Sequence, residues 1–495
     1  MRHTLSLNAR WTVSFLACCV LIGNTGPRCS ADFTVYTIPG TQLQVLLRGS
    51  TKFHPGGNAT LQHPRGSLHF SAQDLRVIRA PTAQSVYAAK RRKVNQTPTV
   101  DGLLELSEWA LHHGMLERCK ELMGEAWKVD NTNQRLRYLA GLMRYVNQPA
   151  TSSPSEEKRV RDLIGRPDME ALRSRHFLLL HDGVAEVDPV TRKTRAQMRS
   201  ELLETVYESF FLTFAFRGKY LKPPTEPLVV VLYSDHADFM LMERRLEMSL
   251  RQTAGFYLPA EHVSMFYDSG SSPSYKALMQ LEKSLSSARQ MAIQTRSPGA
   301  GQLIRFTKTL ELLIDIQRET DDVTVVSHEA VHHLAAATGL FRRDGAFVRW
   351  VHEGLASYFE SAKMAQWSGV GAIDQDRLGY YRILEPDPER GSLEFIVSDL
   401  GFVVEEVLGN QLPAYGQAWA LTHFLFDRHF DELMTFYDRL GDLPKKEPGT
   451  ETVREHGEKL MAVFDEVFED RVRLELEWRR YMRTLKTDLE QLADG

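Results

Sequence analysis

The chain is poor in cysteine, in long apolar runs and in excess charge of either sign. Four cysteines are spread over 495 residues, and Cys18, Cys19 and Cys29 lie near the N-terminus. Only Cys119 stands in the body of the chain, which excludes a disulfide framework or a cysteine-rich zinc cluster there. Cys119 reads as a small buried hydrophobe. The 60 basic and 64 acidic residues leave a formal charge of −4, a balance that excludes a dedicated nucleic-acid binder. The densest basic run, Lys90 to Lys93, is short and reads as a solvated helix end. Composition is 43% apolar and 25% charged, that of a globular protein and not of a disordered or fibrous one.

The N-terminal apolar run, Trp11 to Gly23, falls short of the ~20 residues that span a membrane. Arg2 and Arg10 precede it, no acid precedes Asp32, and Ser30 and Ala31 are small. These features predict a signal peptide over residues 1–31, cleaved near Ala31. The protein is then exported to the periplasm or the extracellular space, with no stable membrane span after cleavage. The other reading is an uncleaved signal that anchors the chain. Phe15 stands where a lipoprotein signal wants leucine, so lipidation is unsupported. With its disulfides excluded, the mature chain must draw its stability from burial.

Residues 32–96 alternate apolar and polar types around Gly and Pro, with Val35, Tyr36, Leu43, Val45, Leu46, Leu68 and Phe70 in strand-like runs. A small β-rich domain is expected there. Residues 97–150 change to helical periodicity, with Gly114 at the first turn. This helix–turn–helix is similar to one tetratricopeptide unit. Fewer than three such repeats do not stack into a solenoid, so it reads as a packed spacer or as a platform for a protein partner. After the Ser/Pro linker at Thr151 to Ser155, residues 156–365 read as a sheet-containing half with two helices that carry the chemistry, and residues 366–495 as a helical subdomain. Strands are expected at His176 to Leu180, Leu228 to Tyr233, Gly255 to Tyr257 and His262 to Tyr267. Helices are expected at Ala196 to Phe216, Ser274 to Thr295 and Gln302 to Glu319. The class is α+β, mostly helical, with a small mixed or antiparallel sheet.

The chemistry is concentrated in Ser-His-Glu-Ala-Val-His-His, Ser327 to His333. Residues four apart share one helix face, so His328 and His332 can aim ring nitrogens at one metal ion. Glu329 is displaced by one position and suits a base beside that metal. Thr320, Asp321 and Asp322 are helix-start residues, Val323, Val326, Ala330 and Leu334 form an apolar face, and Thr338-Gly339 is a stop. Imidazoles on so apolar a helix are buried and need partners. A catalytic zinc takes three protein ligands and keeps a position open. The next helix, Trp350 to Glu360, carries Glu353 after a turn through Arg342, Arg343 and Asp344. His333 and His352 flank these positions on other faces and are not assigned to the metal.

Together the two segments resemble the gluzincin metallopeptidases, whose aminopeptidase members bring the third ligand on a Trp-x-x-Glu-Gly-x-Ala helix. The match lies at Trp350, Glu353, Gly354, Ala356, Tyr358 and Glu360. The resemblance implies one catalytic Zn2+ held by His328, His332 and Glu353, with Glu360 gripping a ligating histidine from behind. Thermolysin-like members place that acid where this chain has Ser357. Tyr415 to Leu421 resembles the Tyr-x-x-Gly-x-x-Leu helix whose tyrosine stabilises the oxyanion, with the glycine two places off. Tyr415 is the candidate for that role; the alternatives are that it is a buried core tyrosine, or that Tyr380, Tyr381 or His423 takes the role. The Gly-x-Met-Glu-Asn segment that grips a free amine in those aminopeptidases is missing upstream of His328, which points to an endopeptidase or a different hydrolase. From near His176 onward the chain also resembles an uncharacterised bacterial family of secreted, peptidase-MA-like proteins, on the strand at Gly255 and both helices.

The resemblance therefore implies hydrolysis of a peptide or protein substrate, with Glu329 as general base. His262 to Tyr267 is expected to be an edge strand that pairs with the extended substrate. The competing class is a non-catalytic exported binding or scaffold protein with a vestigial or structural zinc site. Glu329 argues against it, because a structural site needs no base and prefers four protein ligands.

Overall fold

The computed structural model describes residues 30–37, 44–63, 65–183, 187–246, 253–298, 300–343, 345–360, 362–363, 365–443 and 452–493. Residues 1–29 of the signal peptide expected over 1–31, and Leu43, expected in a strand, lie outside the described residues. The fold is α+β and mostly helical. It forms two units: Met1–Thr82 with Leu278–Gln317, and Ala83–Ala277 with Arg318–Gly495.

In the first unit, alternating sequence makes five strands: β1 (Ser30–Thr37), β2 (Gln44–His54), β3 (Asn58–His63), β4 (Gly66–Ser71) and β5 (Leu75–Pro81). They pair antiparallel in the order β4-β3-β2-β1-β5. Phe33, Val35, Leu47, Leu61, Leu68 and Phe70 are buried on it. Strand β2 pairs with β1 up to Gly49 and with β3 from Ser50. A Cβ at Gly49 would stand 2.5 Å from Gln62 O, so the switch of partner requires glycine.

The second unit begins with four helices: α1 (Ala83–Gln96), α2 (Val100–His112), α3 (Leu116–Val129) and α4 (Gln134–Val146). Residues 83–96, which the sequence places with the β-rich domain, are helix because Ala, Gln, Lys and Arg dominate them. Gly114 turns α2 into α3 at φ 70°, a left-handed conformation that favours glycine. Cys119 is buried, 3.2 Å from Ser107 Oγ. Next come α5 (Pro154–Ile164), β6 (Glu170–Arg173), β7 (Phe177–His181), α6 (Arg195–Phe216), β8 (Leu228–Tyr233), α7 (His236–Arg245), β9 (Gly255–Leu258) and β10 (Val263–Tyr267). The mixed sheet runs β6-β7-β8-β10-β9, with β7, β8 and β10 parallel. Strands β7 and β8 are buried along their whole length, as unbroken apolar runs require.

Strand β10 corrects one expectation. It is not an edge: it is bonded to β8 on one side and β9 on the other, and β9 is the edge. Residues Val263 to Phe266 are buried, so their backbone groups need partners on both sides.

Helices α8 (Pro273–Gln294) and α9 (Ala300–Ala337) contribute to both units. In α9 a second expectation is corrected, since the helix begins at Ala300 and runs straight through Thr320, Asp321 and Asp322. The capping-type side chains there make tertiary bonds instead of caps. Asp322 pairs with Arg199 at 2.6 Å and accepts Ser269 N–H at 2.9 Å. Asp321 accepts the Tyr275 hydroxyl at 2.8 Å, and Thr320 Oγ1 accepts Ala365 N–H at 2.9 Å. The helix stops where predicted, at Gly339 with φ 74°.

Then follow α10 (Arg349–Phe359), a short hairpin of β11 (Ala362–Lys363) and β12 (Gln366–Trp367), and helices α11 (Gln375–Leu384), α12 (Leu393–Val397), α13 (Leu400–Val407), α14 (Leu412–Arg428), α15 (Phe430–Leu440), α16 (Val453–Phe468) and α17 (Arg471–Thr484). Among the described residues no helix is long and apolar enough to cross a membrane.

Candidate metal centre

Two helices present the donors. In α9, Val326, Ala330, Val331 and Leu334 are buried in the core, which fixes the helix and turns His328 and His332 to the opposite side. In α10, Trp350, Val351, Leu355 and Ala356 are buried likewise. His332 lies by His352 and His328 by Glu360, the order of contacts of an antiparallel pair. Val348 at the start of α10 provides no cap, and Asp399 supplies one from a distance. Its two carboxylate oxygens accept the Arg349 and Trp350 N–H groups at 2.7 and 2.9 Å. Asp399 holds a left-handed backbone, φ 62°. Burial raises its pKa to about 6, against the lowering effect of those two donors.

His328 Nε2 lies 3.0 Å from Glu353 Oε2 and 3.1 Å from His332 Nε2, and His332 Nε2 lies 3.5 Å from Glu353 Oε2. Zinc ligands at about 2.0–2.1 Å in a tetrahedron are about 3.3 Å apart. The three observed separations straddle that edge length, so the donor set fits a single zinc ion. Chemistry agrees with geometry. His328 Nδ1 stands 2.7 Å from Glu360 Oε2, so Nδ1–H donates there and the Nε2 lone pair faces the other two donors. Three lone-pair donors this close repel unless a cation or extra proton joins them. Without a metal the cation is a proton. Burial lowers the His328 pKa, but hydrogen bonds and charge from Glu353 and Glu360 outweigh it and hold the pKa at about 10.

Glu353 is held well below the usual carboxylate range: burial raises it, and His332 and His328 more than compensate. Glu360 is lowered to about 2, with burial outweighed by Arg377 and His328. Arg377, from the first turn of α11, donates from Nε to Glu360 Oε1 at 2.6 Å. Glu329 behaves oppositely. It is buried, its Oε2 has no hydrogen-bond partner, and burial raises its pKa against the pull of His332 and His328. Edge strand β9 passes directly over it: a Cβ at Gly255 would lie 3.1 Å from Glu329 Cγ.

The structure brings Tyr415 to the same place. Its ring centroid is 6.4 Å from that of His328, and the Arg377 guanidinium lies 5.0 Å from the Tyr415 ring. Burial and the charge of Glu353 push its hydroxyl well above the usual tyrosine range. Tyr381 instead packs on Trp478 at 5.4 Å. Both His423 nitrogens are engaged, by the Tyr481 hydroxyl at 2.8 Å and Gly371 O at 3.0 Å. Tyr380 is half-buried and has no ring contact with a donor histidine. His352 sits between Phe341 and Phe347, each at 4.4 Å, and is neutral: burial, aided by His332, lowers its pKa to about 3. His333 points to the sheet, 3.2 Å from Ser264 Oγ, with the Tyr257 ring tilted to it at 5.1 Å and the His262 ring edge-on at 4.5 Å.

Sequence reasoning missed Arg377, Asp399 and the role of Gly255. Each acts on a residue distant in sequence, and no local pattern marks it.

Residues 322–447, which include all of these donors as well as Arg377, Asp399 and Tyr415, match the family model described as "Protein of unknown function (DUF1570)". No curated protein and no solved structure matches the chain.

Proposed function

We propose that the chain is an exported zinc-dependent hydrolase of peptide bonds, a peptidase of gluzincin type, with His328, His332 and Glu353 as ligands. The observation that carries this reading is Glu329, a buried carboxylate with an unpaired oxygen beside a three-donor set. A structural site has no use for such a group. A bound zinc ion supplies Lewis acidity, which acidifies water and polarises a carbonyl. Glu329 takes the proton of the attacking water at Oε2 and returns it to the leaving nitrogen. Its raised pKa suits a group that must both accept and release a proton. Glu360 keeps His328 in the Nδ1–H tautomer, and the Tyr415 hydroxyl donates to the oxyanion. Strand β9, the unpaired edge next to Glu329, is the element on which an extended substrate would align.

The test is metal analysis of the purified full chain together with hydrolysis of a denatured protein and a broad peptide library, wild type against Glu329→Gln. Both forms should carry about one zinc per chain, and the variant should lose ~10²–10⁴-fold in rate. A wild type that binds no stoichiometric zinc, or that binds it and cleaves nothing in the library, sinks the proposal.

A further inference from the structure

Arg377 has more donors than the supporting role uses. Its Nε is spent on Glu360 Oε1 at 2.6 Å. Its backbone N–H is spent on Asp374, the cap of α11, at 2.8 Å. Among the described residues nothing accepts from its two terminal nitrogens, and neither is sealed from solvent. The side chain is 15% exposed, so the guanidinium is mostly desolvated with one edge open. The stem cannot swing away, because Glu360 grips Nε and the Tyr415 ring lies 5.0 Å from the guanidinium carbon. Tyr415 is in the same condition: among the described residues its hydroxyl has no hydrogen-bond partner. Glu329, through Oε2, is the third residue of the group with an unpaired polar atom. Of these atoms only Glu329 Oε2 is sealed from solvent, and a buried polar atom is normally paired; with the open nitrogens of Arg377 and the Tyr415 hydroxyl beside the same donor set, it outlines where a ligand binds.

The chemistry of the ligand follows from the charge. A guanidinium with one edge fixed and two parallel N–H donors left over matches a carboxylate bidentately. The position is beside the donor set: His328 and Arg377 share the Glu360 carboxylate, and the Tyr415 ring lies 6.4 Å from that of His328 and 5.0 Å from the guanidinium. We infer that Arg377 is a specificity residue that receives a substrate carboxylate near the scissile bond, so that the enzyme selects peptides carrying a negative charge there. The inference rests on the peptidase reading above. Asp374 and Asp376 flank Arg377 in sequence and reduce the net charge it offers, but Asp374 Oδ1 is committed to the Arg377 N–H. Two sources present the same chemistry: the C-terminal carboxylate of a peptide and an Asp or Glu side chain.

The probes are two matched pairs. One is acetyl-Ala-Phe-Ala as the free acid and as its C-terminal amide. The other is acetyl-Ala-Phe-Glu-amide and acetyl-Ala-Phe-Gln-amide. Binding is measured calorimetrically to the zinc-loaded full chain carrying Glu329→Gln, so that the probes survive. Cleavage is measured in parallel with the wild type. The acid member of at least one pair should bind about tenfold more tightly, the scale of one charge-assisted bidentate contact with an edge still in water. Which pair responds identifies the source. Arg377→Gln in the same background should erase the difference, and Arg377→Lys should keep part of it. Equal binding within both pairs, read on the chain with Arg377 intact, overturns the inference; so does a preference that survives Arg377→Gln. Cleavage by wild type without any acid preference removes the carboxylate site and leaves the peptidase reading. An acid preference that depends on Arg377, with no cleavage of any probe or library peptide, removes the peptidase reading and leaves the site.

Discussion

Replacing Gly354 by alanine sets two effects of known size against each other. Gly354 follows Glu353 in α10 and is buried against α14. In a helix interior the change to alanine stabilises by about 0.8–1.0 kcal/mol. Here the added Cβ would collide with the Thr422 hydroxyl and stand 2.7 Å from Ala418 O and 3.1 Å from Ala418 C. Thr422 can rotate, whereas Ala418 O is backbone of α14 and moves only if the helices separate. Overpacking of this kind costs about 1–3 kcal/mol, and a rigid backbone partner puts it at the upper end. The net expectation is a loss of about 1–2 kcal/mol. The displacement falls between Glu353 and the helix that carries Tyr415, so zinc affinity should fall with stability. Gly141→Ala is the control: it lies in α4, and a Cβ there meets nothing within 4 Å. Urea unfolding by circular dichroism and chelator competition for zinc measure both quantities. If Gly354→Ala proves as stable as the wild type while Gly141→Ala shows the ordinary gain, the close α10–α14 packing is not what requires glycine, and the reasoning fails.

Three further outcomes are expected. Glu360→Gln should weaken zinc binding about 10–100-fold by releasing His328 Nδ1, and an unchanged affinity in chelator competition would rule out that orienting role. His328 is raised from 6.5 to about 10 in the metal-free site, so the stability it contributes is complete below pH 6.5 and is lost as pH rises through about 10. Zinc must displace that proton; binding should therefore tighten with pH and release about one proton near pH 8, read by calorimetry in buffers of different ionisation enthalpy, and zero release contradicts the assignment. At Gly255 an added Cβ would lie 2.8 Å from Val325 Cγ1 and 3.1 Å from Glu329 Cγ and Met265 O; Gly255→Ala should cost about 1–3 kcal/mol and reduce kcat more than it raises KM, whereas a loss confined to KM would mean that Glu329 is not displaced.

The legible parts of this protein are those whose signal is local. Strand β8 is an unbroken apolar run between polar neighbours, and its bounds match the sequence reading, Leu228–Tyr233. His328 and His332 share a helix face because four residues make about one turn, and the structure sets their Nε2 atoms 3.1 Å apart. The failures have one physical form. Thr320, Asp321 and Asp322 look like a helix start because short polar side chains compete for nearby backbone N–H groups. Here Arg199, Ser269, Tyr275 and Ala365 satisfy them from other elements, and the helix loses its reason to begin there. His262–Tyr267 looks like an edge strand because it lies beside a turn; only the pairing partners reveal that β9 lies outside it.

The same limit bears on function. A set of ligands is a local pattern and can be read from spacing, but it does not separate a working site from a structural one. That distinction depends on which polar atoms the fold leaves unpaired. Most of the site's charge is neutralised within it: Glu360 is held between His328 and Arg377, and Asp399 by two backbone donors. Against that background the unpaired Oε2 of Glu329 is costly, because burying an acceptor with no partner costs about 1–3 kcal/mol. Position 255 has no room for a side chain that could pair with it, because a Cβ there would already stand 2.8 Å from Val325 Cγ1 and 3.1 Å from Glu329 Cγ. Glycine stands there instead, and the carboxylate keeps its unpaired oxygen. That cost falls on the group that the proposed hydrolysis needs unpaired until substrate and water arrive.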